Sequence, residues 1–108
     1  MEAMEVGNKF DSDKNRLELI SPFAEWGLGL VLTHGAKKYA PRNWEKGINF
    51  SRVIGAIKRH LNAIERGEDL DPESGMPHAD HLFTEAMFLS HFFHLYEQYK
   101  SFDDRLAP

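Results

Sequence analysis

Three stretches of the chain carry hydrophobic residues at helical spacing, and each is bounded by breakers. The most regular covers residues 50–66. At 100° per residue Val53, Ile54, Ile57, Leu61 and Ile64 share one face, while Arg52, Lys58, Arg59, Asn62 and Arg66 lie away from it. Gly67 supplies the stop. Residues 21–39 are apolar on most sides, open with the Ser21-Pro22 pair of an N-cap and first turn, and end before Ala40-Pro41. Gly27, Gly29 and Gly35 lower the intrinsic stability of that helix and would permit close approach of another. A third pattern runs from about residue 77 to 100, with Leu82, Leu89, Phe92 and Tyr96 on one stripe and Phe83, Met87 and Ser90 opposite.

Residues 1–20 carry Lys9, Asp11, Asp13, Lys14 and Arg16 without a sustained period and read as an extended arm. Residues 43–47, Asn43-Trp44-Glu45-Lys46-Gly47, form a connecting loop, and residues 101–108 a flexible tail. The expected fold is therefore all-α, a single domain over residues 1–108 with three main helices after the arm. Three helices in so short a chain do not easily cover both apolar faces of the third. A bundle core shared in a homodimer or larger homo-oligomer is expected.

Composition narrows the function classes. With 108 residues, 42% hydrophobic and 12% aromatic, the chain can bury one core and one site. A net charge of −4 gives no general attraction for nucleic acid, so an anionic ligand needs a local basic patch. Without cysteine there is neither a disulfide nor thiolate ligation of zinc. No export signal or membrane-length apolar run is visible, and a soluble cytoplasmic protein is expected, without nucleic-acid or membrane partners.

The candidate chemistry gathers in residues 67–81, where an acidic turn with Glu68, Asp69 and Asp71 runs into a helix start bearing His78 and His81. His78, His81 and Glu85 stand at i, i+3 and i+7, and their stripe continues into Leu82, Leu89 and Phe92, so this polar end is expected to face inward. Two imidazoles and a carboxylate are costly there unless paired or bound to a cation. His60, at the edge of the second helix's apolar face, joins the set, whereas Asp80 and His91 fall on another stripe and are expected to face solvent. The expected metal ligands are His60, Asp69, Asp71, His78, His81 and Glu85. Mixed nitrogen and oxygen donors suit Mn²⁺, Co²⁺ or Zn²⁺, and an all-oxygen shell would favour Mg²⁺. The bland alternative is an acidic cap on the helix dipole beside hydrogen-bonded structural histidines. A calcium loop of the EF-hand type is excluded, because Ser74 stands where its turn demands glycine. The His-Asp phosphohydrolase pattern is excluded too, as Ala79 separates His78 from Asp80.

A second polar group begins at His34, Lys37 and Lys38 and continues through Tyr39, Arg42, Asn43 and Trp44. Cations beside aromatics suit a nucleotide, though lysines at a helix end also complement its dipole and Trp44 can serve packing alone.

Taken together, Lys9-x-Asp11, Lys14-x-Arg16, Gly35-Ala36-Lys37-Lys38-Tyr39, Asn43-Trp44-x-x-Gly47, Arg59-His60-Leu61 and residues 67–81 resemble a phage family of dATP/dGTP diphosphohydrolases, N-terminal domain, over about residues 9–90. The resemblance implies a helical fold related to MazG-like pyrophosphohydrolases. It also implies a divalent cation, Mg²⁺ or Mn²⁺ with Co²⁺ or Zn²⁺ as further candidates, and hydrolysis of a purine deoxynucleoside triphosphate to monophosphate and pyrophosphate in the host cytoplasm. Those enzymes hold Mg²⁺ with ExxE and ExxD carboxylates, of which this chain has no clean copy; its nearest equivalents are the Glu68, Asp69, Asp71 loop and the His78, His81, Glu85 stripe. In that chemistry Glu68 or Asp71 is the candidate base, Lys37, Lys38 and Arg59 meet phosphate charge, and Tyr39, Asn43 and Trp44 contact the nucleotide. The competing class is a non-catalytic nucleotide-binding protein, a phage sponge that sequesters a signalling nucleotide.

Overall fold

A computed structural model describes residues 6–10 and 12–106. Residues 1–5 and Asp11 of the expected arm, and residues 107–108 of the tail, lie outside the described set. The arm's described part is exposed and holds only one short 3-10 turn, Leu17–Leu19.

Helix α1, Pro22–Lys38, starts as its sequence dictates: Pro22 occupies the first turn and the Ser21 side chain accepts the Ala24 N–H at 3.2 Å. Lys37 and Lys38 close it, next to the free carbonyls. A 3-10 turn, Asn43–Lys46, leads to α2, Phe50–Glu65, and Gly67 reverses the chain in the left-handed region at φ 88°. Helix α3, His78–His94, packs against both earlier helices. Regular structure among the described residues is helical throughout, save one isolated backbone bridge between Leu70 and Pro77. No described helix is long and apolar enough to cross a membrane.

The core is aromatic. Phe50 and Val53 from α2 meet Phe92 from α3 and Tyr99 beyond it, with Trp44, Ile57, Phe88 and Leu89 packed around them. Phe50 and Phe92 lie almost parallel at 5.8 Å. The third helix was expected to continue to about residue 100, but it breaks at Leu95 (φ −115°, ψ 41°) and resumes as α4, Tyr96–Tyr99, and a final 3-10 turn, Lys100–Phe102. The break folds Tyr99 back onto Phe92, with centroids 4.6 Å apart, and lets its hydroxyl donate to the Glu45 carbonyl at 2.7 Å. A continuous helix would forgo both contacts, and burial of a large aromatic outweighs one helical turn. The expected flexible tail is also tied down through residue 105. Asp104 accepts from the Ser51 amide at 2.8 Å, and the Arg105 guanidinium lies 4.9 Å from the Phe93 ring centre.

Two faces differ from expectation. On α2 the buried side runs through Val53, Ile57, His60 and Ala63, which places His60 near its middle and leaves Leu61 and Ile64 exposed. On α3, Asp80 is half-buried against α1, where a Cβ on Gly27 would overlap its carboxylate. His91, expected in solvent, is half-buried with its ring edge-on to Trp44 at 4.8 Å.

Candidate functional site

The loop between α2 and α3 is built by its own polar groups. The Asp71 amide donates to the Met76 carbonyl at 2.8 Å, the His78 amide to the Asp69 carbonyl at 2.9 Å, and the Leu70–Pro77 bridge closes the neck. Inside, one Asp71 carboxylate oxygen accepts the Glu73 and Ser74 amides at 2.8 and 2.9 Å. Burial works against the Asp71 charge, but those two amides outweigh it and hold the carboxyl below its ordinary range. One oxygen is thus fixed by the backbone, and the other remains for a partner outside the loop.

That partner region is imidazole. His78 is only 4% exposed; its Nε2–H donates to Glu68 at 3.0 Å, which leaves Nδ1 as a lone pair facing His60 Nδ1 at 2.8 Å. The two Nδ1 atoms share one proton or, both unprotonated, offer two lone pairs to a cation. His81 stacks on His60 at 4.8 Å, and its Nε2 lies 2.7 Å from the Ser74 hydroxyl. Burial, then the neighbouring imidazoles His81 and His78, hold His60 below the ordinary histidine range. Burial also lowers His81, with Asp71 opposing. Neutral imidazoles are what metal ligation requires.

His60, Asp71 and His78 present one donor atom each within 4.8 Å of one another, the group of that kind found among the described residues. Of the other expected ligands, His81 stands beside it and Glu85 lies one helical turn beyond His81, outside it. The Asp69 side chain is exposed and only its backbone is used. Glu68, expected as a base, sits behind His78, on the ring nitrogen that points away from His60.

His60, Asp71 and the neighbouring His81 line a cleft of about 1570 Å³ between α1, the 3-10 turn of residues 43–46, α2 and α3, while buried His78 lies outside that lining. Lys38, Tyr39, Asn43, Trp44 and Arg59 line it as expected for substrate contact, and Lys37 lies outside. Lys38 is held 3.1 Å from Glu73, a contact that raises its pKa. Trp44 is a wall rather than a free platform, since it stacks on Phe88 at 4.9 Å. Arg52, Ser74 and His91 also line the cleft and were not expected there. The helical wheel put Arg52 and His91 off the apolar faces; Arg52 stays exposed where it lines the cleft, and packing against Trp44 draws His91 partly inward. Ser74 stood in the sequence three residues beyond Asp71, the spacing at which an Asp side chain captures a backbone amide in a turn.

Comparison with known proteins matches residues 4–105 to the family model described as dATP/dGTP diphosphohydrolase, N-terminal. A dATP/dGTP diphosphohydrolase of Salmonella phage PMBT28 is 37% identical over 100 residues, which cover 93% of this chain and 33% of that protein. The chain thus spans about a third of the length of this relative. No solved structure matches it.

Proposed function

Since the chain belongs to the dATP/dGTP diphosphohydrolase N-terminal family, we propose that it hydrolyses a purine deoxynucleoside triphosphate to the monophosphate and pyrophosphate, with a divalent cation held by His60, Asp71 and His78. The observation that carries this reading is the convergence of those three donors, two of which, His60 and Asp71, line a cleft that cations also line. The carboxylate behind His78 supports it further, because a metal-binding histidine commonly donates its other N–H to such a group.

Two imidazoles beside a carboxylate would suit Mn²⁺ or Co²⁺ better than Mg²⁺. An ion held there would supply positive charge for the triphosphate and acidify a water.

The chain's own residues do the rest. Glu68 fixes the His78 tautomer, and the loop amides hold Asp71 ionised with one oxygen free. Arg59, Arg52 and Lys38 line the cleft where phosphate charge must be met, and stacked Trp44 and Phe88 give it an apolar wall. The exposed apolar stripe on α1 supports assembly as a homo-oligomer.

Incubation of the chain with each of the four deoxynucleoside triphosphates and Mg²⁺, Mn²⁺ or Co²⁺, with chromatography of the products, tests the reading. Monophosphate and pyrophosphate from a purine substrate are expected, and turnover should vanish in His78→Ala and Asp71→Ala while helical content persists. Intact nucleotide under every metal sinks it, and intact nucleotide in a stable complex makes the chain a binding protein instead.

A further inference from the structure

One carboxyl in the cleft has no partner. Glu85 is half-buried, lines the cavity, and makes neither a hydrogen bond nor an ion pair among the described residues. We propose that Glu85 reads the purine base, its carboxylate accepting the N1–H and N2–H of guanine, an assignment that rests on the nucleotide-hydrolase reading above.

Position along α3 supports it. Glu85 follows His78 by seven residues, roughly 10 Å of helix rise. That is about the reach from an α-phosphate across the sugar to the base edge. Phosphates at the His60, Asp71, His78 group would therefore bring a base alongside Glu85. Thr84, Met87 and Phe88, neighbours of Glu85 on α3, also line the cleft, and Phe88 stacks on Trp44, so apolar walls are at hand for the base faces while the carboxyl is at hand for its edge.

Among the described residues no hydrogen bond or ion pair accounts for Glu85. Burial pushes its carboxyl up to about 7 despite the opposing charge of Arg59, so the protein holds an acid where it is costly to ionise. A ligand offering two N–H donors from one planar edge satisfies both carboxylate oxygens at once, and guanine does so. Adenine presents an acceptor beside a donor, the pattern that a carboxamide complements instead.

Replacement by the isosteric amide therefore predicts a reversal. Binding of α,β-imido-dGTP and α,β-imido-dATP, in which the scissile bond is blocked, is measured by calorimetry on the full chain with Mn²⁺. Wild type should prefer the guanine analogue. Glu85→Gln should lose about 10- to 100-fold for guanine and retain or improve adenine, so that the preference inverts. Glu85→Ala should lose the guanine preference without gaining one for adenine, and circular dichroism should show both variants helical. The assignment is overturned if wild type binds neither analogue or prefers adenine, if the ratio is unchanged in Glu85→Gln, or if both analogues weaken equally, as a structural role would produce. Discrimination by wild type and its reversal in the variant, without pyrophosphate release from dGTP, would leave Glu85 as the base reader and remove only the hydrolytic reading.

Discussion

Glu68 acts on the candidate centre without belonging to it. By taking the Nε2–H of His78 it leaves Nδ1 as the nitrogen that would meet a cation. Glu68→Gln should therefore weaken Mn²⁺ binding about 10- to 100-fold by calorimetry, with turnover falling in step, although no proposed ligand has been removed. At Glu85 the expectation is a pH effect on stability. Its carboxyl titrates near 4.5 when free and at about 7 in the fold, so between those values the folded chain holds a proton that the unfolded chain has lost. The stability from this group is complete below about 4.5 and is lost as pH rises through 7. Glu85→Gln should then melt higher than wild type at pH 8 and level with it near pH 4; equal melting at both ends would show that the carboxyl is not desolvated. The lowered histidines titrate in both proteins and cancel from the difference.

Between elements, the sharpest constraint is the crossing of α1 and α3, where Gly27 leaves room for the Asp80 carboxylate. Gly27→Val should cost roughly 1–3 kcal/mol, read as a lowered melting temperature. Gly29→Ala, where nothing lies within reach of a new methyl, should instead be neutral or stabilising by up to about 1 kcal/mol. This division bears on what the sequence made legible. Three glycines in one helix announced a close approach, yet only packing distinguishes the one that is used. The start of α1, the stop of α2 and the start of α3 were readable because caps and breakers act within a turn of chain. The break at Leu95 was not, because its cause, Tyr99 returning to Phe92 and Glu45, is a contact across the fold. The site divides likewise. Asp71 and His78 were recognisable from crowding of donors around one loop and His60 from its place beside the apolar face of α2, whereas the placing of Glu68 behind a ring and of Asp69 outside the group depends on loop hydrogen bonds that no periodicity encodes.

As a whole molecule the chain is more extended than its length requires, with a radius of gyration of 18.5 Å against about 13 Å for a compact domain of this size. Phe23 and Trp26, one helical turn apart on α1, are 87% and 73% exposed. Light scattering at micromolar concentration should report a dimer or larger, and Trp26→Glu should lower that mass; a wild-type monomer would remove the case for assembly. The self-closed loop between α2 and α3 has a different consequence, one of timing. All three members of the donor group lie within residues 60–78, so bringing them together closes only a short length of chain, at less entropic cost than a contact between distant segments. The α2–α3 hairpin is then the part of the chain able to organise first, before α1 docks and before any second copy arrives. An ion taken up at that stage would speed refolding rather than merely slow unfolding, so chelation should show itself in the folding arm of the chevron.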